Sequence, residues 1–256
     1  MKLNEKKTHY ILFNRARTSF ATRLTVNGQL LERKNCIKLL GVWLQEDGGW
    51  EKNTQELCKK AYKRVGMLTK LRYAGVQTED LLTIYKLHIR SCLEYNAVSF
   101  HSSLSSQQEA ALERCQSVCL KVILQDTYID YEAALEMSGL EKLTLRRQKR
   151  CLDFAKKCLK HPINKRMFPL NPNLLNQQKI RAREKYVVNF ARTNIYKNST
   201  IPFCQRLLNN EEEEEQEEQV EQEEEQVEQE EEQEEQEEEQ EEHEEEEQQP
   251  RRRSLG

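Results

Sequence analysis

The sequence has little glycine, little proline and no long apolar run. Eight Gly and five Pro among 256 residues argue against a loop-rich sandwich or a glycine-rich nucleotide-binding fold. The sequence contains no stretch of 18 apolar residues, so it predicts no transmembrane helix. The segment 1–7 also lacks the apolar core of a secretory signal. We therefore expect an intracellular protein of the nucleus or cytoplasm, neither secreted nor membrane-bound, whose eight Cys are reduced thiols.

Motifs for self-contained catalysis are also missing. The sequence has no GxGxxG, GxxxxGK[ST], GxSxG or HExxH pattern. Before residue 210 the only adjacent acidic pairs are Glu46-Asp47 and Glu79-Asp80, which are typical of a turn and of a helix start. These observations predict no active site built from this sequence alone.

Scattered cysteines and histidines raise the question of a metal site. Cys115 and Cys119 are one helical turn apart, and Cys151, Cys158 and His161 follow later. Tetrahedral zinc usually takes one ligand pair from a tight loop, whereas these cysteines fall at core-facing helical positions, where a thiol behaves as a small apolar group. We predict no bound metal, and we interpret His88 as a hydrogen-bonded core histidine.

The net charge of −4 averages two very different parts. Residues 211–249 contain 26 Glu and 10 Gln but no Lys or Arg. The first 210 residues hold 37 Lys+Arg against 18 Asp+Glu, a net charge of +19. A strongly basic body of this kind favours binding to a polyanion.

Short strands are predicted for the first 46 residues and helices thereafter. Strand patterns cover Lys7–Phe13 and the two sides of Asn27-Gly28, a strong hairpin signal. The apolar run Cys36–Leu44 follows, in which Gly41 indicates a bulge or a close approach of the backbone. The predicted fold class is α+β, mainly α, with a small antiparallel β-hairpin.

Helical periodicity begins at Trp50 and predicts five helices. The first ends near Gly75, and the second begins near Thr78 as its cap and places His88 and Tyr95 on its apolar side. Ser105 and Gln108 predict a capping box for the third. The fourth covers Tyr131–Ser138 and the fifth carries Leu145, Leu152, Ala155 and Leu159. We interpret 162–176 as a loop and expect at most one short helix in 177–209.

Basic residues concentrate on the polar faces of the first and fifth helices. Such faces bind nucleic acid by neutralising phosphates, and a solvated surface is the alternative interpretation. The candidate nucleic-acid-binding residues are Lys59, Lys60, Lys63, Arg64, Arg146, Arg147, Arg150, Lys156 and Lys157.

The acidic segment repeats with a period of seven. One apolar position per heptad, Val220 and then Val227, is too few for a coiled-coil seam. Glutamates four residues apart also repel one another on a helix. We predict that residues 210–249 form a disordered chain or a transient helix, followed by a short basic end at 250–256.

Four stretches resemble one family. Leu3–Thr8 resembles its "LNxxKT" segment, and Lys38–Leu44 (KLLGVWL) its "LGV" hairpin. Tyr85–Leu104 resembles "Y…IRS.LEY…WHSSL", and Leu112–Leu124 "LERVQ…..IL". The order and spacing of these stretches, over residues 3–209, are similar to those in the C-terminal part of a family of reverse transcriptases, which are RNA-directed DNA polymerases. The family belongs to jockey-like non-LTR retrotransposons, a LINE type of transposable element.

The resemblance implies an organisation and a few roles. It assigns 1–46 to a palm remnant, 47–125 to a helical thumb-like region and 126–209 to a basic helical C-terminal region. By resemblance alone, Lys7 stands near the incoming nucleotide, and Leu40, Gly41 and Val42 stand at the primer-grip turn. The full-length family uses Mg²⁺, but its YxDD aspartates have no counterpart in this sequence, so we expect no cofactor here.

The resulting hypothesis is a truncated, catalytically inactive fragment that retains binding to the backbone of an RNA or DNA template–primer. Its acidic tail is expected to contact the basic body. One alternative is an acidic-tail protein that binds histones or other basic partners. Another is an incompletely annotated piece of an active RNA-directed DNA polymerase.

Overall fold

A computed structural model of the chain describes residues 4, 8–13, 23–172 and 184–211. Helices dominate this part, and three two-stranded sheets lie near its beginning, which confirms an α+β class that is mainly α. The strands are β1 His9–Tyr10, β2 Thr25–Val26, β3 Gln29–Leu30, β4 Glu32–Arg33, β5 Cys36–Leu39 and β6 Val42–Gln45. The helices are α1 Glu51–Tyr73, α2 Thr78–Ile84, α3 Ser91–Leu93, α4 Ser106–Leu124, α5 Tyr131–Ser138, α6 Leu143–Lys160, α7 Asn194–Lys197 and α8, residues 200–211.

The predicted hairpin around Asn27-Gly28 is confirmed. Strands β2 and β3 pair antiparallel, and the two turn residues have φ values of 50° and 81°, as a type I′ turn requires. The predicted strand over 7–13 reduces to β1, which pairs in parallel with β4.

The apolar run over 36–44 is two strands, not one. Its centre turns at Leu40 and Gly41, which have φ values of 47° and 91°, and β5 pairs antiparallel with β6 from Leu39↔Val42 to Cys36↔Gln45. Gly41 therefore sits in a two-residue turn, where glycine adopts a positive φ without steric cost.

Helices α1 and α4 form the centre of the first core. Leu57, Ala61 and Leu68 of α1 are buried there, and Gly75, with a φ of +85°, follows the helix end as predicted. The predicted capping box starts α4: the Ser105 hydroxyl accepts from the Gln108 N–H at 3.3 Å, and the Gln108 side chain accepts from the Ser105 N–H at 2.9 Å.

A π-helical turn, Tyr85–Arg90, joins α2 to α3. The buried positions along this segment, Leu81, Tyr85, Ile89 and Leu93, are four residues apart. Steps of four drift around a regular α-helix, which has 3.6 residues per turn, whereas the wider i→i+5 turn keeps them in line. His88 and Tyr95 are therefore exposed, so their predicted core positions are wrong.

The predicted Thr78 cap of α2 is also wrong, since Gln77 holds the N-cap position without a side-chain hydrogen bond.

The start of α6 is capped by a side chain from another helix. The Glu113 carboxylate of α4 accepts from the Leu143 N–H at 3.2 Å and the Thr144 N–H at 2.7 Å. It also accepts from the Tyr131 hydroxyl at 2.5 Å. A carboxylate is favourable here because the first N–H groups of a helix have no partners within it.

Two cores organise the described residues. The first contains residues from Leu57 to Leu143, and so crosses the predicted boundary at 125/126. The second joins α6 to α8 through Cys151, Ala155, Cys204 and Leu208. Helix α8 is preceded by α7, so 177–209 contains more helix than predicted. None of the helices described is long and apolar enough to span a membrane.

Candidate nucleic-acid interface

The solvent side of α1 carries an exposed cationic stripe. Lys59, Lys60, Lys63 and Arg64 are all exposed, in agreement with the predicted polar face. Among the described residues none of the three lysines forms an ion pair, while the Arg64 guanidinium donates to the carbonyl of His88. The lysine charges are therefore available to an external anion.

Larger uncharged side chains share this side of the helix. Steps of three and four place Gly66, Lys70 and Tyr73 in line with Lys63. Tyr73 is 83% exposed and the neighbouring Met67 is 40% exposed. A face built only for solvation needs neither group, whereas phosphates, sugars and bases match cations interleaved with aromatic and apolar surface.

The predicted face on α6 is corrected by the structure. Arg147 is fully buried, because it lies in line with the buried Leu143, Cys151 and Ala155. Its guanidinium donates to the Thr144 hydroxyl at 3.2 Å, and burial lowers its pKa. Arg147 therefore faces the protein interior and not an external phosphate.

Arg146 and Arg150 are held by an internal carboxylate. The Glu94 side chain is only 1% exposed. It accepts from Arg146 Nε at 2.6 Å and from Arg146 Nη2 at 3.4 Å, and Arg150 Nη2 lies 2.9 Å from the same carboxylate. We name this cluster the Glu94 node. It joins the end of α3 to α6.

The other basic residues of α6 divide into paired and exposed groups. Lys149 pairs with Glu141, and Lys156 Nζ lies 2.5 Å from Glu211 Oε1. Lys157 is exposed. Much of the charge of this helix is therefore balanced internally, which leaves α1 as the stronger candidate surface.

The turn of the β5–β6 hairpin packs against the residues that follow α3. A Cβ on Gly41 would lie 3.1 Å from the Tyr95 ring, so the predicted close approach is confirmed. The Tyr95 hydroxyl donates to the Leu40 carbonyl at 2.9 Å. The Leu40 side chain is 86% exposed, whereas Val42 is 4% exposed. Of this predicted group, only Leu40 presents its side chain to solvent.

Three of the four stretches that carry the family resemblance contact one another. Tyr95 bonds to the hairpin as described, and the Tyr85 hydroxyl donates to the Gln116 side chain. Gln116 in turn donates to the Glu141 carbonyl at 3.0 Å. The fourth stretch includes Lys7, which lies outside the described residues.

His101 is a buried histidine that sequence reasoning did not identify. It is 5% exposed, and its ring meets Phe203 edge-on at 5.5 Å between centroids. Burial, followed by the nearby Arg147 charge, lowers its pKa to about 4. This ring therefore stays neutral in the folded protein across the physiological range and links the first core to α8.

We expect His101 to make the protein acid-sensitive. Below its unfolded pKa of about 6.5, the unfolded chain binds a proton that folded His101 does not take until about pH 4. Stability is thus fully present above pH 6.5 and falls between 6.5 and 4, by about 1.4 kcal/mol per pH unit. Urea titrations of His101→Gln across this window should show a shallower decline.

The matched control is His88→Gln, since His88 is exposed. This variant should retain the wild-type pH dependence. If His101→Gln declined as steeply as wild type, another group would be responsible for the acid sensitivity.

In the described part of the chain, no group of three or more His, Cys, Asp or Glu side chains is arranged to hold a metal ion. The cysteines considered for zinc are buried in helices: Cys115 and Cys119 in α4, and Cys151 and Cys158 in α6. They pack as core residues.

Comparison with known proteins returned no match to a protein family, a curated protein or a solved structure.

Two features of this region were missed from the sequence. Glu94 was not singled out, although it is an acid between apolar Leu93 and Tyr95, and Arg146 and Arg150 are spaced to converge on one group. The Glu113 carboxylate accepts from a residue of α6 that lies 30 positions further along the chain. Such long-range pairing leaves no local sequence pattern.

Proposed function

We propose that this chain binds the sugar–phosphate backbone of an RNA or DNA template–primer, as a thumb-like part of a reverse-transcriptase-like protein. The exposed stripe on α1, with its unpaired lysines beside Met67 and Tyr73, carries the proposal. Phosphate contacts of this kind position a duplex without reading its sequence. The family resemblance of the surrounding segments supports the same interpretation.

Two hydrogen bonds link the β5–β6 hairpin to the start of α1. The Trp43 N–H donates to Asn53 Oδ1 at 3.2 Å, and the Lys52 N–H donates to Gln45 Oε1 at 2.6 Å. These bonds fix the direction in which α1 leaves β6. In this proposal, the palm-remnant hairpin with exposed Leu40 and the thumb-like helix approach the same duplex.

Removing the stripe charges tests the proposal. A triple variant, Lys59→Gln/Lys60→Gln/Lys63→Gln, should bind an RNA–DNA duplex about tenfold more weakly in moderate salt. The slope of the logarithm of its binding constant against the logarithm of the salt concentration should be smaller in magnitude by about 3. Fluorescence anisotropy over a salt series measures both quantities.

The control removes three equally exposed lysines elsewhere, Lys160→Gln/Lys165→Gln/Lys197→Gln. It should lose less than about threefold in affinity. Equal losses in the two triple variants would instead indicate diffuse attraction to the whole basic body and would contradict a site on α1.

The proposal concerns binding and not nucleotide addition by this polypeptide alone. Its 256 residues contain no two adjacent aspartates, and two-metal phosphoryl transfer needs carboxylates to hold Mg²⁺. Templated primer extension by the purified chain with Mg²⁺ would contradict this part of the proposal.

We also propose that the acidic residues from Glu211 to residue 249 compete with nucleic acid for the basic body. Glu211, the first glutamate of this run, already pairs with Lys156 of α6, and 25 further glutamates follow it by residue 249. A tethered polyanion reaches nearby cations at high effective concentration. Basic protein partners such as histones are the second candidate for this segment, supported by the same charge.

A further inference from the structure

Two pairs of cysteines meet where helices pack. In the first, Cys58 Sγ of α1 lies 3.7 Å from the carbonyl of Ala111 in α4. Cys115 follows Ala111 by one helical turn, so its side chain projects from the same face. A helix carbonyl points toward the residue four positions on, so the Ala111 carbonyl that Cys58 Sγ contacts is directed at Cys115. In the second pair, Cys204 Sγ of α8 donates to the carbonyl of Cys151 at 3.5 Å.

Access distinguishes the two pairs. Cys151 and Cys204 are both fully buried, whereas Cys58 is only half-buried. Of these four thiols, Cys58 is therefore the most accessible to a dissolved oxidant. The buried partner, Cys115, lies directly behind it.

Cys58 also differs from the other half-buried thiols, Cys36 and Cys92. The hydrogen bond from Cys115 lowers the pKa of Cys58, whereas burial raises the pKa of Cys36. A larger thiolate fraction speeds attack on peroxides.

We propose that Cys58 and Cys115 form a peroxide-oxidisable dithiol that closes into a disulfide between α1 and α4. The Cys58 thiolate attacks one oxygen of hydrogen peroxide, and with the uptake of a proton this gives a sulfenic acid and one water. The Cys115 sulfur then attacks the sulfenic sulfur. The S–O bond breaks, the S–S bond forms, and the Cys115 proton leaves with the hydroxyl as a second water.

The bridge would link α1, the helix that carries the lysine stripe, covalently to α4. Lys59 and Lys60 directly follow Cys58 in sequence. A covalent link between distant parts of the chain restricts the unfolded state, so the thermal midpoint of the oxidised protein should rise by about 5 °C. This inference is independent of the proposed nucleic-acid binding.

The test treats the full, reduced chain with graded hydrogen peroxide, alkylates the remaining thiols and maps disulfide-linked peptides by mass spectrometry. The peptides containing Cys58 and Cys115 should become linked before Cys36 or Cys92 is oxidised. The link should be absent in Cys58→Ser. In Cys115→Ser, Cys58 should persist as a sulfenic acid that dimedone traps.

Oxidation of Cys36 or Cys92 ahead of Cys58, or a first link between two different chains, would overturn the proposal. If Cys115→Ser fails to fold, the order in which wild-type thiols disappear still decides the question. The Cys58→Ser variant supplies a second reading, because its thermal midpoint should not respond to peroxide.

Discussion

Glu94→Gln should lower the free energy of unfolding by about 3 kcal/mol, the cost of breaking a buried ion pair. The wild-type carboxylate is 1% exposed. It accepts two hydrogen bonds from Arg146 at 2.6 and 3.4 Å and forms an ion pair with Arg150 at 2.9 Å. Glutamine keeps the shape of the side chain but removes its charge. Its amide NH₂ must also face a guanidinium donor, so a buried acceptor position is lost.

The position of the Glu94 node explains why the effect should be large. It joins the end of α3 to α6, two elements that are distant in sequence. Arg146 is 25% exposed and Arg150 is 48% exposed, so water recovers part of the lost interaction for the second arginine and less for the first. That recovery keeps the expected loss near the lower end for buried pairs.

Urea unfolding followed by circular dichroism measures the difference, with an unchanged slope against denaturant if the unfolded state is unaffected. Glu132→Gln is the matched control. Its carboxylate is 65% exposed and pairs with Lys142 at 2.8 Å, and an exposed ion pair contributes less than about 1 kcal/mol. Equal losses in the two variants would contradict the structural role assigned to the Glu94 node.

Neutralising the acidic segment should strengthen nucleic-acid binding about 100-fold in low salt, because a tethered competitor is removed. The variant replaces every glutamate of 212–249 with glutamine and keeps Glu211, whose bond to Lys156 is part of the described fold. Chain length and side-chain size are preserved. Anisotropy with the same RNA–DNA duplex measures the affinity.

A scrambled 212–249 segment of unchanged composition is the matched control. It keeps all 25 glutamates and should bind as weakly as wild type, because screening charge needs no particular order. The gain should shrink as salt rises. Wild-type affinity in the neutralised variant would contradict the proposed competition, and loss of a histone complex instead would favour the protein-binding alternative.

Features fixed by a few neighbouring residues could be predicted from the sequence. Asn27-Gly28 specifies its turn because both positions need a positive φ. Ser105 and Gln108 specify their capping box because both partners lie within one helical turn. In each case the physical cause is local.

Predictions that assumed a regular helix over a long range were less successful. The π turn shifts the register after Tyr85, so His88 moves from the expected core to the surface. Arg147 was placed by its charge, although its spacing from Leu143 and Cys151 matches the buried row. Fully buried charged residues are rare, so the charge of Arg147 predicts exposure although its spacing predicts burial.

The candidate site shows the same contrast between features with a local cause and features with a long-range cause. The α1 stripe was predictable because exposed lysines follow the helical period without needing partners. On α6 the partners decide the outcome, and Glu94 lies 52 residues before Arg146. No local pattern reveals that pairing.

The π turn at Tyr85–Arg90 has a consequence for homologues of this chain. Such a turn holds one residue more than an α-helical turn. A homologue could lack one residue here, close the turn as regular α-helix, and keep its inward-facing rows on both sides. A one-residue gap at 85–90 in an alignment would then mark a conserved core and not a misplaced segment.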